Sequence, residues 1–187
     1  MEPVSYRLVR SDRKTLSLQI SPQGELTVRS PRHMPIRQIE DFLREKTPWI
    51  RKTLEKIQSR PALPPLTRDQ LQDLRREARQ VFARRTEYFA PLVGVTYGRI
   101  TLRMQKSRWG SCSSQGNLNF NILLLLAPPE VLDYVVVHEL CHRREMNHSP
   151  AFWAQVERVL PDYRARRKWL KDNGGALMLR APGEDPA

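Results

Sequence analysis

Apolar and polar residues alternate along the first thirty positions of the chain. Thr15–Ile20 and Glu25–Arg29 place apolar side chains on every second residue, and Pro22-Gln23-Gly24 between them is a turn signal. With Tyr6–Arg10 ahead of them, they predict a small antiparallel meander. The period then changes. Ile36, Ile39 and Leu43 recur at helical spacing, and Pro48 is placed to open a second helix whose face continues through Ile50, Leu54 and Ile57. Arg60–Pro65 reads as a linker because of its prolines. Thr67 is a candidate helix cap, followed by a long helix through Leu71, Leu74, Ala78, Val81 and Phe82 towards Tyr88.

Strands come first again in the second half. Arg99–Met104 predicts one strand. The alternation of Leu118, Phe120 and Ile122 predicts another, running on to Leu125. Ser107–Ser113, between them, is rich in turn formers. Pro128-Pro129-Glu130 is a helix start. Val131, Val135, His138 and His142 then share one face, while Val136, Val137 and Leu140 cover much of the rest. A helix apolar on nearly all sides belongs inside the protein. Asn147–Pro150 ends it and caps a helix carrying Phe152, Trp153, Val156 and Val159. Pro161 breaks that helix, and a last one, with Trp169 and Leu170, is expected to stop at Gly174-Gly175.

Strands set apart from helices make the expected fold class α+β. The expected organisation is a β-meander and helical segment at 1–60, a Pro-rich linker at 61–66, a second domain at 67–175 and a C-terminal tail at 176–187.

Composition narrows the setting. A chain of 187 residues with 40% hydrophobic content can bury a core without disulfide staples. The N-terminus shows no basic-then-apolar signal peptide, and the longest apolar run, Ile122–Ala127, is too short to span a membrane and reads as a buried strand. Two cysteines, Cys112 and Cys141, suit free thiols in a reducing compartment, so the expected location is the cytoplasm, without membrane attachment.

His138-Glu139-Leu140-Cys141-His142 is an HExxH pattern. Residues four apart stack on one helical face, so both imidazoles reach one metal ion. Glu139 lies about 100° further round the helix, where its carboxylate reaches a metal-activated water without being a ligand. Zinc is the expected cofactor from ligand type, although other divalent ions share that chemistry. His148 is the expected third ligand, swung back by a turn at Asn147, with Glu157 on the following helix as its alternative. The same histidine spacing occurs in metzincins, which need glycine where this chain has Glu145; that version is rejected. Cys141 is expected in the core, off the histidine face.

Several motifs in order now resemble a known family. Arg108–Ser113 with its Trp-Gly-Ser core, Asn121, Tyr134–His142, Asn147-His148-Ser149 and Phe152-Trp153 resemble the YgjP-like metallopeptidases, which are related to SprT-like zinc proteases. The resemblance implies a minimal zincin fold, an antiparallel sheet with a buried HExxH helix. It also implies zinc ligands at His138, His142 and His148 and a general base at Glu139. Substrates would be proteins or peptides. For Trp109-Gly110-Ser111, the structural reading is a glycine bend with tryptophan on the core. The functional reading makes Asn117–Asn121 the cleft strand that pairs with an extended substrate.

A net charge of +12 favours acidic partners, nucleic acid first. Arg164, Arg166, Arg167, Lys168 and Lys171 cluster near the C-terminus, and Arg75, Arg76, Arg79, Arg84 and Arg85 line the long helix. No base-reading motif accompanies them, so DNA binding would be non-specific and salt-sensitive. Two functions therefore stand: a zinc peptidase, whose targets by analogy with SprT-like proteases would be nucleic-acid-associated proteins, or a basic nucleic-acid-binding module stapled by structural zinc. Oligomeric state is open.

Overall fold

The computed structural model describes residues 5–59, 63–105 and 107–182. The chain forms two compact units, Met1–Ala62 and Leu63–Ala187. Both are built from small sheets and helices, an α+β architecture.

The smaller unit holds β1 (Arg7–Ser11), β2 (Ser17–Ile20), β3 (Leu26–Pro31) and helix α1 (Ile36–Gln58). Its sheet is not a meander. The order is β1-β3-β2, with β1 parallel to β3 and β2 antiparallel to it. Central β3 buries Leu26, Val28 and Ser30, the one strand here with a fully buried face. Arg10 fastens β1 to the exit of β3 by donating to the carbonyls of Arg32 and Met34 at 2.7 and 2.8 Å. The two expected helices are one. Pro48 lies inside α1, where it forfeits one backbone hydrogen bond. Ile39 on one side of it and Ile50 on the other are both fully buried, and that burial on both sides outweighs the break.

The larger unit begins before the position expected from the prolines. Leu66 is buried and its N–H donates to the carbonyl of Arg180. Helix α2 (Arg68–Val93) starts with a capping box, in which Thr67 Oγ1 accepts from Gln70 N–H and Gln70 Oε1 accepts from Thr67 N–H. It ends at Gly94, whose φ of 77° is the left-handed conformation of a glycine cap.

A second sheet follows: β4 (Ile100–Arg103), β5 (Gly110–Cys112) and β6 (Leu118–Asn121), in the order β4-β6-β5. It is mixed rather than antiparallel, since β4 runs parallel to β6. The apolar run after β6 is a 3-10 helix, Ile122–Leu126, not more strand. Asn121 makes the switch. Its Oδ1 accepts from Leu123 N–H, and its Nδ2 donates to the carbonyls of Gln105 and Arg108.

Helix α3 (Pro129–Cys141) lies at the centre, with all but Pro129, Glu130 and His138 buried. Helices α4 (Pro150–Val159) and α5 (Tyr163–Met178) complete the unit. The glycine pair expected to stop α5 lies within it. Gly174 is buried, and a Cβ there would come within 2.9 Å of the Trp109 ring, so the glycine serves close packing. Of the expected tail, Leu177 is buried in α5, and residues 183–187 lie outside the described set. Among the described residues no helix is long and apolar enough to cross a membrane.

Phe82 of α2 stacks on Phe120 of β6 with centroids 4.7 Å apart, and both are almost fully buried. Replacing Phe82 with Ala should destabilise the protein by about 3–5 kcal/mol, read from chemical denaturation, because the ring's volume has no collapse route between a helix and a sheet.

Candidate metal centre

Helix α3 positions the first two candidate ligands. His138 is half-buried in its last turn, and His142 is its C-cap residue. The chain then leaves by a tightening turn, with N–H groups of Arg143, Arg144 and Glu145 donating to the carbonyls of Leu140 and Cys141. Glycine is the only residue type with positive φ among the described residues, so this turn needs none at Glu145. It delivers His148 immediately before Ser149, whose hydroxyl accepts from Phe152 N–H and whose neighbour Pro150 opens α4.

The ligand atoms of His138, His142 and His148 all lie within 4.8 Å of one another. His148 Nε2 is 3.0 Å from His138 Nε2. His142 Nδ1 is 3.0 Å from the Glu145 carbonyl. A carbonyl only accepts, so that nitrogen carries the proton and His142 Nε2 keeps its lone pair for a metal. His138 Nδ1 is buried without a partner, so Nε2 is the atom through which this ring can be held. The donor set therefore fits a metal ion. Phe152, fully buried, packs within 4.6–4.9 Å of all three imidazole centroids. Trp153 stacks on His148 at 5.6 Å.

Burial sets the protonation states. Desolvation lowers His138 to about 3, helped by His142, His148 and Arg167. His148 is lowered for the same first reason. Glu139, 5% exposed, is raised to about 8 by desolvation. Its carboxylate is held under Gly110 of β5, where a Cβ would lie 2.6 Å from Oε1 and 2.7 Å from Cγ. Gly110 is therefore a strand residue required by close approach, not a bend. The sequence reading missed this role, although the Trp-Gly-Ser motif marked the position.

Other expectations change. β6, containing most of Asn117–Asn121, is the middle strand and has both edges occupied; the open edges belong to β5 and β4. Glu157 pairs with Arg164 and is not among the clustered ligands. Arg166 pairs with Asp162, and Lys168 with Asp172. Arg167 lies 4.5 Å over the Trp153 ring. Among the described residues, it and Lys171 have no carboxylate partner. On α2, Arg85 is not part of a solvent stripe. Its guanidinium makes a two-pronged ion pair with Asp133 of α3 at 2.5 Å. Cys112 and Cys141 are free thiols. Burial pushes both up, Cys141 to about 12, which makes them poor nucleophiles.

Three clustered imidazoles with a buried carboxylate beside them are the side chains that a metallopeptidase site needs. The YgjP-like metallopeptidase domain family matches residues 14–73 and 63–173, and the chain belongs to that family. No curated protein sequence matches the chain. Among solved structures, it is similar to the metallopeptidase zymogen abylysin of Pyrococcus abyssi. The identity is 23% and the TM-score 0.44, over 48% of this chain and 93% of that one.

Two predictions follow from the geometry. Gly110→Ala should keep bound metal but lower peptide cleavage by roughly a hundredfold, because it displaces the Glu139 carboxylate by an ångström-scale step. The check is metal content alongside casein hydrolysis. The second concerns the metal-free protein. Glu139 has a raised pKa when folded, so the native state holds its proton more tightly than the unfolded chain does. Stability from this group is therefore lost as pH rises from its ordinary value near 4.5 to about 8. His138 acts oppositely, adding stability as pH rises from about 3 to 6.5. Denaturation of wild type against Glu139→Gln isolates the first effect: the difference should move in favour of Gln across pH 4.5–8.

Proposed function

We propose that this metallopeptidase uses zinc, held by His138, His142 and His148, and hydrolyses peptide bonds with Glu139 as general base. The observation that carries the reading is the buried Glu139 carboxyl, next in sequence to one of three convergent imidazoles. A structural staple would gain nothing from desolvating a carboxylate there.

When bound, zinc supplies a Lewis acid that polarises the scissile carbonyl and acidifies water. A cation among the imidazoles also favours the ionised form of Glu139, which burial alone keeps protonated at neutral pH. Glu139 then takes a proton from the attacking water at its carboxylate oxygen and returns it to the leaving amine. Gly110 keeps that carboxylate in place, and the Glu145 carbonyl holds the His142 tautomer. Along β5, Trp109 and Ser113 bond inward to β6, so alternation turns the backbone groups of Gly110 and Cys112 outward. An extended substrate segment would add to that edge.

A nucleic-acid-associated substrate draws support from the net charge of +12. Three of the five basic residues proposed on α5, Arg164, Arg166 and Lys168, are already matched by carboxylates, which reduces what that helix offers to phosphates.

Glu139→Ala should retain zinc and lose casein cleavage by about 10²–10⁴-fold. Purified wild type lacking zinc would remove the basis of the reading. Equal cleavage by both proteins would take Glu139 out of the chemistry and favour the structural-zinc alternative.

A further inference from the structure

The groove between α2 and β4 plays no part in the chemistry above. Two adjoining cavities of about 640 and 480 Å³ run along it and share Arg79, Leu102 and Arg103. Arg75 and Arg79 line it from the helix, and Arg99 and Arg103 from β4 and the residue before it. Leu102 pairs with Phe120, which stacks on Phe82 of α2. Alternation therefore sets Arg99 and Arg103 on the other face of the sheet, and the two arginine pairs border the open edge from opposite faces. Among the described residues no carboxylate lines either cavity and none of these four guanidinium groups has an ion pair. Four guanidinium groups without an ion pair thus line one groove, whereas three of the five basic residues of the α5 cluster are matched by carboxylates.

The strand itself is unfinished. β4 is at the edge of its sheet and pairs only with β6 among the described residues. Its register and the Leu118 N–H bond to the Arg99 carbonyl turn residues 99, 101 and 103 inward. Ile100 and Leu102 therefore present their N–H and C=O groups to the groove. Their apolar side chains are only half-buried, although the neighbouring strand β6 is almost completely covered.

We propose that this groove binds an extended acidic segment of another polypeptide, which adds to β4 as a new strand and places its carboxylates against Arg75, Arg79, Arg99 and Arg103. Arginines four apart on a helix lie about 6 Å apart along its axis. Four apart on a strand they share a face and lie about 13 Å apart. The groove therefore offers charge along both walls, with ladder hydrogen bonds between them. A phosphate backbone would meet the arginines but leave the strand edge and its apolar side chains unused. The same charges block neutral or basic strands from pairing at this edge, so an acidic strand is the occupant admitted. This surface is separate from the metal centre and would recruit substrates or a regulator by their acidic tracts whatever the metal does.

The test is fluorescence anisotropy of a labelled peptide of repeating Glu-Glu-Val-Val, which as a strand carries carboxylates on both faces, titrated with the full chain. Repeating the titration with Glu139→Gln keeps the probe uncut. Wild type should bind. Arg79→Glu and Arg103→Glu should each weaken binding about tenfold, as expected for loss of one charge-assisted contact. Arg164→Ala should leave it unchanged. The same peptide N-methylated at alternate amides keeps its charge but cannot pair, and should bind wild type at least about tenfold more weakly. Failure of wild type to bind, equal binding by the charge-reversal variants, or undiminished binding of the N-methylated peptide would overturn the proposal. So would tighter binding of an oligothymidylate with the same dependence on Arg79 and Arg103, which would make the groove a nucleic-acid surface.

Discussion

A carboxylate and an imidazole on a helix that water scarcely reaches are the constraint on which the larger unit depends. Burial drives Glu139 up to about 8 and His138 down to about 3, so both groups prefer to be neutral. Such a helix is stable only if the rest of its surface is apolar and well packed, and α3 meets that demand with Val131, Leu132, Val135, Val136, Val137 and Leu140. A cation among the imidazoles would change the preference of Glu139 from neutral to ionised. The burial that makes the motif awkward for an empty fold therefore makes it responsive to a metal.

The neighbouring elements can be understood as ways of holding that helix. α2 grips it from one side through the Arg85–Asp133 pair, with the guanidinium also 4.9 Å from the Phe89 ring centroid. Phe152 of α4 supports all three imidazoles from beneath. On the opposite side, two glycines act in series. Gly174 admits the Trp109 ring against α5, and Gly110, the next residue after that tryptophan, admits the Glu139 carboxylate. Position is thus passed from α5 through one indole to the carboxylate. Neither glycine is at a turn. Each is required because a side chain would fill space already taken.

Much of this was visible in local patterns. The Thr67 capping box, the Pro128-Pro129 start of α3, the Ser149-Pro150 start of α4 and the α+β class all follow from residues within a few positions of one another. Departures occur where a distant partner decides. Pro48 remains inside α1 because Ile39 and Ile50 are both buried. Ile122–Leu126 has the composition of a strand, but Asn121 turns the backbone by bonding to Gln105 and Arg108. The parallel pairing of β1 with β3 has no counterpart in alternation, which reports the buried face of a strand but not its neighbour.

The amino-acid sequence alone determined that a buried helix would present two imidazoles on one face, with a carboxylate next to the first and a third histidine a short turn away. Helical periodicity and the apolar surroundings suffice for that, since both act over a few residues. Tertiary structure decided that His148 meets His138 at 3.0 Å, that Gly110 lies against Glu139, and that Arg85 belongs to Asp133 while Arg75 and Arg79 face an open groove. Those outcomes depend on which element packs on which. The arginines of α2 look alike in sequence, and only the packing of that helix against α3 and β4 separates the one that anchors the core from those left without a partner.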